Sequence, residues 1–287
     1  MKTGFVSIFG KPNAGKSTLL NALLGEKLAI VSHKVQTTRH RIKGILNEPG
    51  YQLIFSDTPG IIDPKYKLQE KMMQAVTGSI EDADVAILLV SATEDPHEVD
   101  TIFSNLRIKA PAIVVINKID AKKSDFEKLK PFFSSKPYAK EVIGISALDR
   151  INLDELLNTI LKYVPEGEPF FDDENISDLS TRFFVSELIR EKIYHLYQQE
   201  IPYETTVLIR AFEEKTTLTK IIADIIVQRE SQKSIILGEG GKMIKQLGTD
   251  ARKDIEAFIG RKVFLELFVK VKPKWRENET FLKEYGY

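Results

Sequence analysis

The stretch GKPNAGKS, residues 10–17, decides how the rest of the chain is read. It follows a strand-like run at 5–9 and precedes a helix-like run at 18–24. In that setting G-x-x-x-x-G-K-[ST] is a phosphate-binding loop. Gly10 and Gly15 let backbone N–H groups close around a phosphate. Lys16 reaches the β- and γ-phosphates, and the Ser17 hydroxyl can hold Mg²⁺. Lys11, Pro12, Asn13, Ala14 and Thr18 complete the expected contact set. The helix N-terminus adds partial positive charge. The expected ligand is a nucleoside triphosphate.

Working outward, short apolar runs alternate with helical stretches. Strands are expected at 5–9, 41–46, 51–56, 85–91, 112–117 and 142–146. Helices are expected at 17–24, 68–80, 97–106, 125–133 and 153–163. Runs such as VAILLV and AIVVI suit strands buried on both faces of a mainly parallel sheet. The alternation predicts an α/β domain with helices on both faces. Ligand sites in such sheets lie beyond the carboxyl ends of the strands, where the loop at 10–17 sits.

Further motifs end other strands. DTPG contributes Asp57, Thr58, Pro59 and Gly60. Its carboxylate is placed to meet Mg²⁺, and the Gly60 N–H can bond a γ-phosphate and sense its loss. NKID contributes Asn117, Lys118 and Asp120. The Asp120 carboxylate can accept from guanine N1–H and N2–H₂ together, which adenine does not offer. The Lys118 stem can lie along the base plane. ISA, with Ser146, Ala147 and then Leu148, can present a backbone N–H to guanine O6. Thr37 and Thr38 lie where a switch threonine closes on Mg²⁺. Each motif alone is a common strand-end turn. Their order and shared position select GTP.

Composition bounds the alternatives. Apolar residues make up 43% and charged residues 29%, ordinary for a globular protein of about two domains. Net charge is zero, so no global field points to nucleic acid or membrane. There is no Cys, which excludes disulfides, thiolate zinc sites and thiol catalysis. The four His have no ligand spacing, and His33 and His40 read as loop residues rather than catalysts. No signal peptide and no long apolar run is visible, which is compatible with a cytoplasmic protein.

At residues 165–178, PEGEPFFDDENISD breaks the pattern. The domain division expected is 1–168, a linker at 169–180, and 181–287, with Phe170 and Phe171 docking on one domain. The second part opens with a helix at 181–199. Strands follow at 205–213 and 219–229, then a helix, the loop GEGG, a longer helix and a strand at 262–272. Gly238, Glu239, Gly240 and Gly241 form a G-x-x-G loop, the device KH domains use to approach an RNA backbone. A helix–turn–helix with glycine caps would look the same in isolation. The surrounding order of strands and helices is that of a smaller α+β fold, a type II KH domain. From 228 to 276 there are twelve Lys/Arg against six Asp/Glu, a modest basic footprint. Glu239 should repel phosphate, so Lys242 and Lys245 are expected to supply the charge. Trp275 could stack on a base or cover the last strand.

The first part resembles the translation-factor-like small GTPases. Ras-like proteins carry a water-orienting glutamine after this DTxG motif; here Ile61 stands there, so hydrolysis needs another device. In GTPases similar around Asn13, an asparagine helps hold K⁺ against the phosphates; otherwise Asn13 only shapes the loop. Nearly the whole chain resembles the Era family, bacterial GTPases of ribosome assembly. GKPNAGKS, QTTRHRI (36–42), DTPG, NKID, ISA, ILGEGGKMIK (236–245), TDARKDIE (249–256) and VKVKPKWREN (269–278) carry the likeness. It implies a monomeric GTP/GDP switch that uses Mg²⁺, binds the 3′ end of 16S ribosomal RNA, assists 30S subunit maturation, and touches the inner face of the membrane peripherally. Lys16, Thr38 (or Thr37), Asp57 and Gly60 would carry catalysis, with Gly60 coupled to the switch stretch 61–71. Two other classes stay open: a GTP-dependent RNA-modifying enzyme, and a membrane-signalling GTPase with a protein-binding second domain. No Cys nucleophile or His/acid cluster favours the first, and no terminal Cys supports lipidation.

Overall fold

The structure is a computed structural model and describes residues 1–287. The chain forms two compact units. Residues 1–64 and 69–178 make the first; residues 65–68 and 179–287 make the second.

In the first unit the elements are β1 (Lys2–Phe9), α1 (Lys16–Leu24), β2 (Ile42–Glu48), β3 (Tyr51–Asp57), α2 (Lys67–Glu81, whose first two residues group with the second unit), β4 (Val85–Ser91), α3 (Pro96–Asn105), β5 (Ala112–Asn117), α4 (Phe126–Ser134), β6 (Ala139–Gly144) and α5 (Leu153–Tyr163). The sheet order is β2-β3-β1-β4-β5-β6. Only β2, joined to β3 by a tight hairpin, runs antiparallel. Every residue of β4 and β5 is buried, as their unbroken apolar runs require. Ala86, Leu88, Val90, Val114 and Ile116 pack with Val76 of α2, Val99 and Phe103 of α3, and Leu129 and Phe133 of α4. Ile87, Leu89, Ile113 and Val115 point the opposite way and are equally buried, so helices cover both faces. The motif-bearing turns all follow the carboxyl ends of β1, β3, β5 and β6.

The stretch expected as a linker is partly ordered on this unit. Gln52 Oε1 accepts from the N–H groups of Phe170 (2.7 Å) and Phe171 (3.1 Å). Phe170 packs on Phe5 with ring centroids 4.9 Å apart. The Ile45 N–H donates to Ile176 O at 2.9 Å, and Ser177 Oγ donates to Lys43 O at 2.5 Å. This segment thus covers the open edge of β2, which would otherwise present unpaired backbone groups.

The second unit contains α6 (Thr181–Leu196), α7 (Ile201–Glu204), β7 (Thr206–Glu214), β8 (Thr219–Val227), α8 (Glu230–Leu237), α9 (Lys242–Ile259), β9 (Val263–Val271) and α10 (Glu279–Glu284). Its sheet order is β7-β8-β9, with β7 antiparallel and β9 parallel to β8. The helix expected at 181–199 ends at Leu196, and a separate turn of helix, α7, follows. Ile221, Ala223, Ile225 and Val227 alternate onto one sheet face, where α6, α8 and α9 bury Leu188, Ile193, Ile236, Leu247, Ala251 and Ile255. Trp275 is fully buried; its ring stacks on Tyr287 and its Nε1–H donates to Glu204 O at 2.9 Å. That corrects the base-stacking alternative for Trp275, because a ring with no exposed face offers nothing to a base.

Candidate nucleotide site and glycine loop

Helix α1 begins at Lys16, directly after Gly15 at φ 104°. A Cβ on Gly15 would lie 2.2 Å from Asn117 Nδ2, and one on Gly10 would lie 2.4 Å from Leu89 O. Both glycines are therefore fixed by crowding. Neighbouring motifs hold the arch. Asn117 Nδ2 donates to Ala14 O at 2.9 Å, and its Oδ1 accepts from the Ala147 N–H at 3.0 Å. Lys118 Nζ donates to Asn13 O at 2.7 Å, and Asn13 Nδ2 donates to His33 O at 3.0 Å. Phosphate loop, NKID and ISA are thus one hydrogen-bonded assembly. Asp120 and Leu148 stay exposed at its rim, while Ser146 is buried. Thr58 Oγ1 donates to Ile8 O at 2.7 Å, fastening the DTPG turn to β1.

Three oxygens converge from three segments. Ser17 Oγ donates to Asp57 Oδ2 at 2.6 Å and lies 2.9 Å from Thr38 Oγ1. Thr38 Oγ1 donates to the same Asp57 oxygen at 3.2 Å. Thr37 instead donates to Lys34 O at 2.7 Å, so the adjacent threonines diverge and Thr38 closes the group. Asp57 is fully buried, and its Oδ1 has no hydrogen-bond partner. Burial pushes its carboxyl pKa up, against the Lys16 charge and the two hydroxyl hydrogen bonds. Burial likewise pulls the Lys16 pKa down to about 8, with Asp57 and Glu94 opposing. A dry carboxylate oxygen and a poorly solvated ammonium side by side are relieved by a cation and an anion respectively. Lys16 Nζ meanwhile donates to Gly10 O (3.2 Å) and Lys11 O (2.9 Å).

Gly60 packs against the loop: a Cβ there would lie 2.7 Å from Pro12 N. The next N–H, of Ile61, donates to Gly10 O at 3.1 Å. The Ile61 side chain packs on the apolar cluster that contains Phe9 and Val90, so it takes no polar role. Sequence reasoning missed Glu94. Its Oε2 accepts from the Ser91 N–H at 2.7 Å, and burial raises its pKa in the presence of Lys11, Lys118 and Lys16. Its place just beyond the carboxyl end of β4 was the available signal.

In the second unit Gly238, Gly240 and Gly241 all adopt positive φ, and α9 starts at Lys242. Glu239, Lys242 and Lys245 lie at or just after this turn, with Glu239 exposed.

Comparison with known proteins then narrows the reading. Residues 5–118 match a family described as 50S ribosome-binding GTPase, and residues 200–276 match the KH domain. The GTPase Era of Geotalea uraniireducens is 44% identical, over 100% of this chain and 98% of its own. That of Geotalea daltonii is 45% identical, over 99% and 97%. The chain belongs to the Era family of GTPases. Its fold is accordingly a P-loop GTPase domain followed by a KH domain, and its activity is GTP hydrolysis. Two solved Era structures agree, each 42% identical and covering 100% of this chain and 99% of its own. One is Era in complex with MgGDPNP and nucleotides 1506–1542 of 16S ribosomal RNA, with a TM-score of 0.96. The other is a single-residue variant of Aquifex aeolicus Era bound to GDP·AlF4⁻, with a TM-score of 0.95.

Proposed function

We propose that this GTPase is a nucleotide-gated RNA binder that captures the 3′ end of 16S ribosomal RNA and assists 30S subunit maturation. The observation that carries this is the glycine turn at 238–241, opening α9 beside Lys242 and Lys245, in a chain that follows RNA-bound Era over its full length. Backbone N–H groups at such a turn can approach phosphate closely. Cytoplasmic action as a monomer, with peripheral contact at the membrane face, belongs to the same proposal.

At the nucleotide site Ser17, Thr38 and Asp57 would hold Mg²⁺, and the orphaned Asp57 Oδ1 fits that role. When bound, the ion would neutralise charge on the β- and γ-phosphate oxygens. Lys16 leaves its two carbonyl partners for the same phosphates. Asp120 reads the guanine edge, and the Asn117 amide holds the loop in register with the ISA turn. Gly60 senses the γ-phosphate. No side chain near Ile61 serves as a general base, so backbone groups position the attacking water. Asn13 would hold K⁺ beside the loop. Hydrolysis unchanged when K⁺ is replaced by Na⁺ removes that part.

The test is binding of a 16S 3′-end RNA fragment at fixed salt, with a GTP analogue and with GDP. Tighter binding with the analogue supports the gate. Equal binding keeps the KH reading and removes the gate. No binding in either state overturns the RNA reading.

A further inference from the structure

The four residues Lys65–Leu68 fall by contact in the second unit, although they follow Gly60 by only a few positions in the chain. Arg276 and Glu279 are among the side chains that meet them there. The Arg276 guanidinium lies over the Tyr66 ring, 4.5 Å from its centroid. Lys67 Nζ lies 3.3 Å from Glu279 Oε1, an exposed pair that adds little. Arg276 makes the closer contact of the two, and its other partner is informative. Its Nη2 donates to Glu204 Oε1 at 2.7 Å. The same carboxylate accepts from Gln232 Nε2. Gln232, itself buried, uses Oε1 to accept the N–H groups of Gln228 (2.9 Å) and Arg229 (3.1 Å) at the start of α8. Helix α8 runs straight into the glycine turn: the Gly238 N–H donates to Ser234 O at 2.9 Å. Every link from Tyr66 to the N-terminus of α8 is a charged or polar contact of defined geometry.

We infer that Arg276 is the positioning residue through which the segment after Gly60 sets the glycine turn. The inference rests on the nucleotide-gated RNA reading above and names the side chain that does the gating. A switch needs an element with two arrangements of similar stability. The buried Arg276 Nε has no acceptor in the present arrangement, so the guanidinium keeps an unmet hydrogen bond that a second arrangement could satisfy. The guanidinium is thus held by a ring face and one carboxylate, with a bond unmade. A γ-phosphate that draws Gly60 toward it pulls on Tyr66, six residues on. Arg276 then trades its stacking on Tyr66 for other contacts, and the Glu204–Gln232 cap at the start of α8 relaxes with it. Trp275, the only tryptophan, sits next to Arg276 and donates to Glu204 O, so it reports the event.

The experiment uses full-length protein with saturating Mg²⁺ and either GDP or a non-hydrolysable GTP analogue. It records Trp275 emission and affinity for a 16S 3′-end RNA fragment. Tyr66→Leu removes the ring, and Arg276→Lys keeps a positive charge for Glu204 but loses the planar stack. In the parent protein both emission and RNA affinity should change with nucleotide. In each variant both changes should shrink at least about fivefold, with nucleotide affinity within about twofold of the parent. Tyr66→Leu leaves the Glu204 cluster intact, so it answers even where Arg276→Lys folds poorly. A parent that discriminates the two nucleotides while Tyr66→Leu keeps the full discrimination overturns this inference alone. A parent whose RNA affinity ignores the nucleotide overturns the gate itself, and this inference with it.

Discussion

Two glycine turns introduce helices in this molecule, and they differ in how closely they are walled in. The loop at 10–17 is walled in. Its glycines face Asn117 and Leu89 at distances no Cβ tolerates, and the NKID motif bonds to its backbone through both Asn117 and Lys118. The turn at 238–241 is open over its last two glycines, where a Cβ on Gly240 or Gly241 would meet nothing within 4 Å, although one on Gly238 would lie 2.5 Å from Met243 Cγ. At Gly240 and Gly241 only positive φ demands glycine, 59° and 75°. The first is a preorganised socket for a compact, highly charged ligand. Under the proposed function the second is a more exposed ledge, to be met by a long ligand that brings its own shape. Gly10 is held by crowding alone, Gly240 and Gly241 by torsion alone, and Gly15 and Gly238 by both.

The contrast is broken most directly at Gly15. Gly15→Ala places a methyl on Asn117 Nδ2 and strains φ at 104°. GTP-analogue affinity, measured by calorimetry, should fall at least about 100-fold. A fall of less than about tenfold would mean the walls yield, and the socket would then be no more rigid than the ledge. At the ledge the sharper lever is charge. Glu239→Lys replaces a repulsive carboxylate by a cation close to Lys242. RNA affinity should rise about tenfold at low salt, and its slope against log salt should steepen by about 0.7 for each further phosphate that the new cation neutralises. An unchanged slope would place the RNA backbone away from this turn. Gly240→Ala meets only torsional strain, of about 1–2 kcal/mol. It should weaken RNA binding about fivefold while leaving GTP-analogue affinity as it was.

How much could be read beforehand follows the same division. The socket was legible because crowding forces residue identity at fixed spacing: GKPNAGKS, NKID and ISA find one another through Asn117 and Lys118. The order of elements around the ledge was legible from periodicity. Adjacent Thr37 and Thr38 were indistinguishable, because only the backbone path decides which hydroxyl meets Ser17. The start of β6 at Ala139, three residues earlier than expected, was hidden because this edge strand is only half-buried there and shows no apolar run. Gln52 gave no hint that its amide would hold Phe170 and Phe171. Nothing in DPKYKL announced that Tyr66 would sit under Arg276. Long-range polar contacts leave no periodic trace, and they account for the Gln52 and Tyr66 contacts that were missed.

The smallest effect tests whether the open turn is held at all from beneath. The Tyr197 hydroxyl donates to Ile236 O at 2.8 Å, two residues before Gly238. Burial pushes its pKa up to about 12. An unfolded tyrosine ionises near pH 10, so above that pH the unfolded chain releases a proton that the folded one keeps. Stability is therefore full below about pH 10 and falls as pH rises toward 12. Tyr285, also pushed up to about 12, adds a share of the same sign. Tyr197→Phe removes one buried hydrogen bond, costing about 1 kcal/mol at neutral pH. It should also flatten the alkaline loss by less than half, since Tyr203 and Tyr285, both pushed up by burial, keep their own shares. Urea unfolding followed by Trp275 emission reads the second unit alone between about pH 9 and 11. A variant as steep as the parent would mean that the Tyr197 hydroxyl is not held in the fold. Helix α8 would then present the glycine turn without a side-chain hydrogen bond from Tyr197 at its C-terminal end, with the Gln232 contacts left at its start.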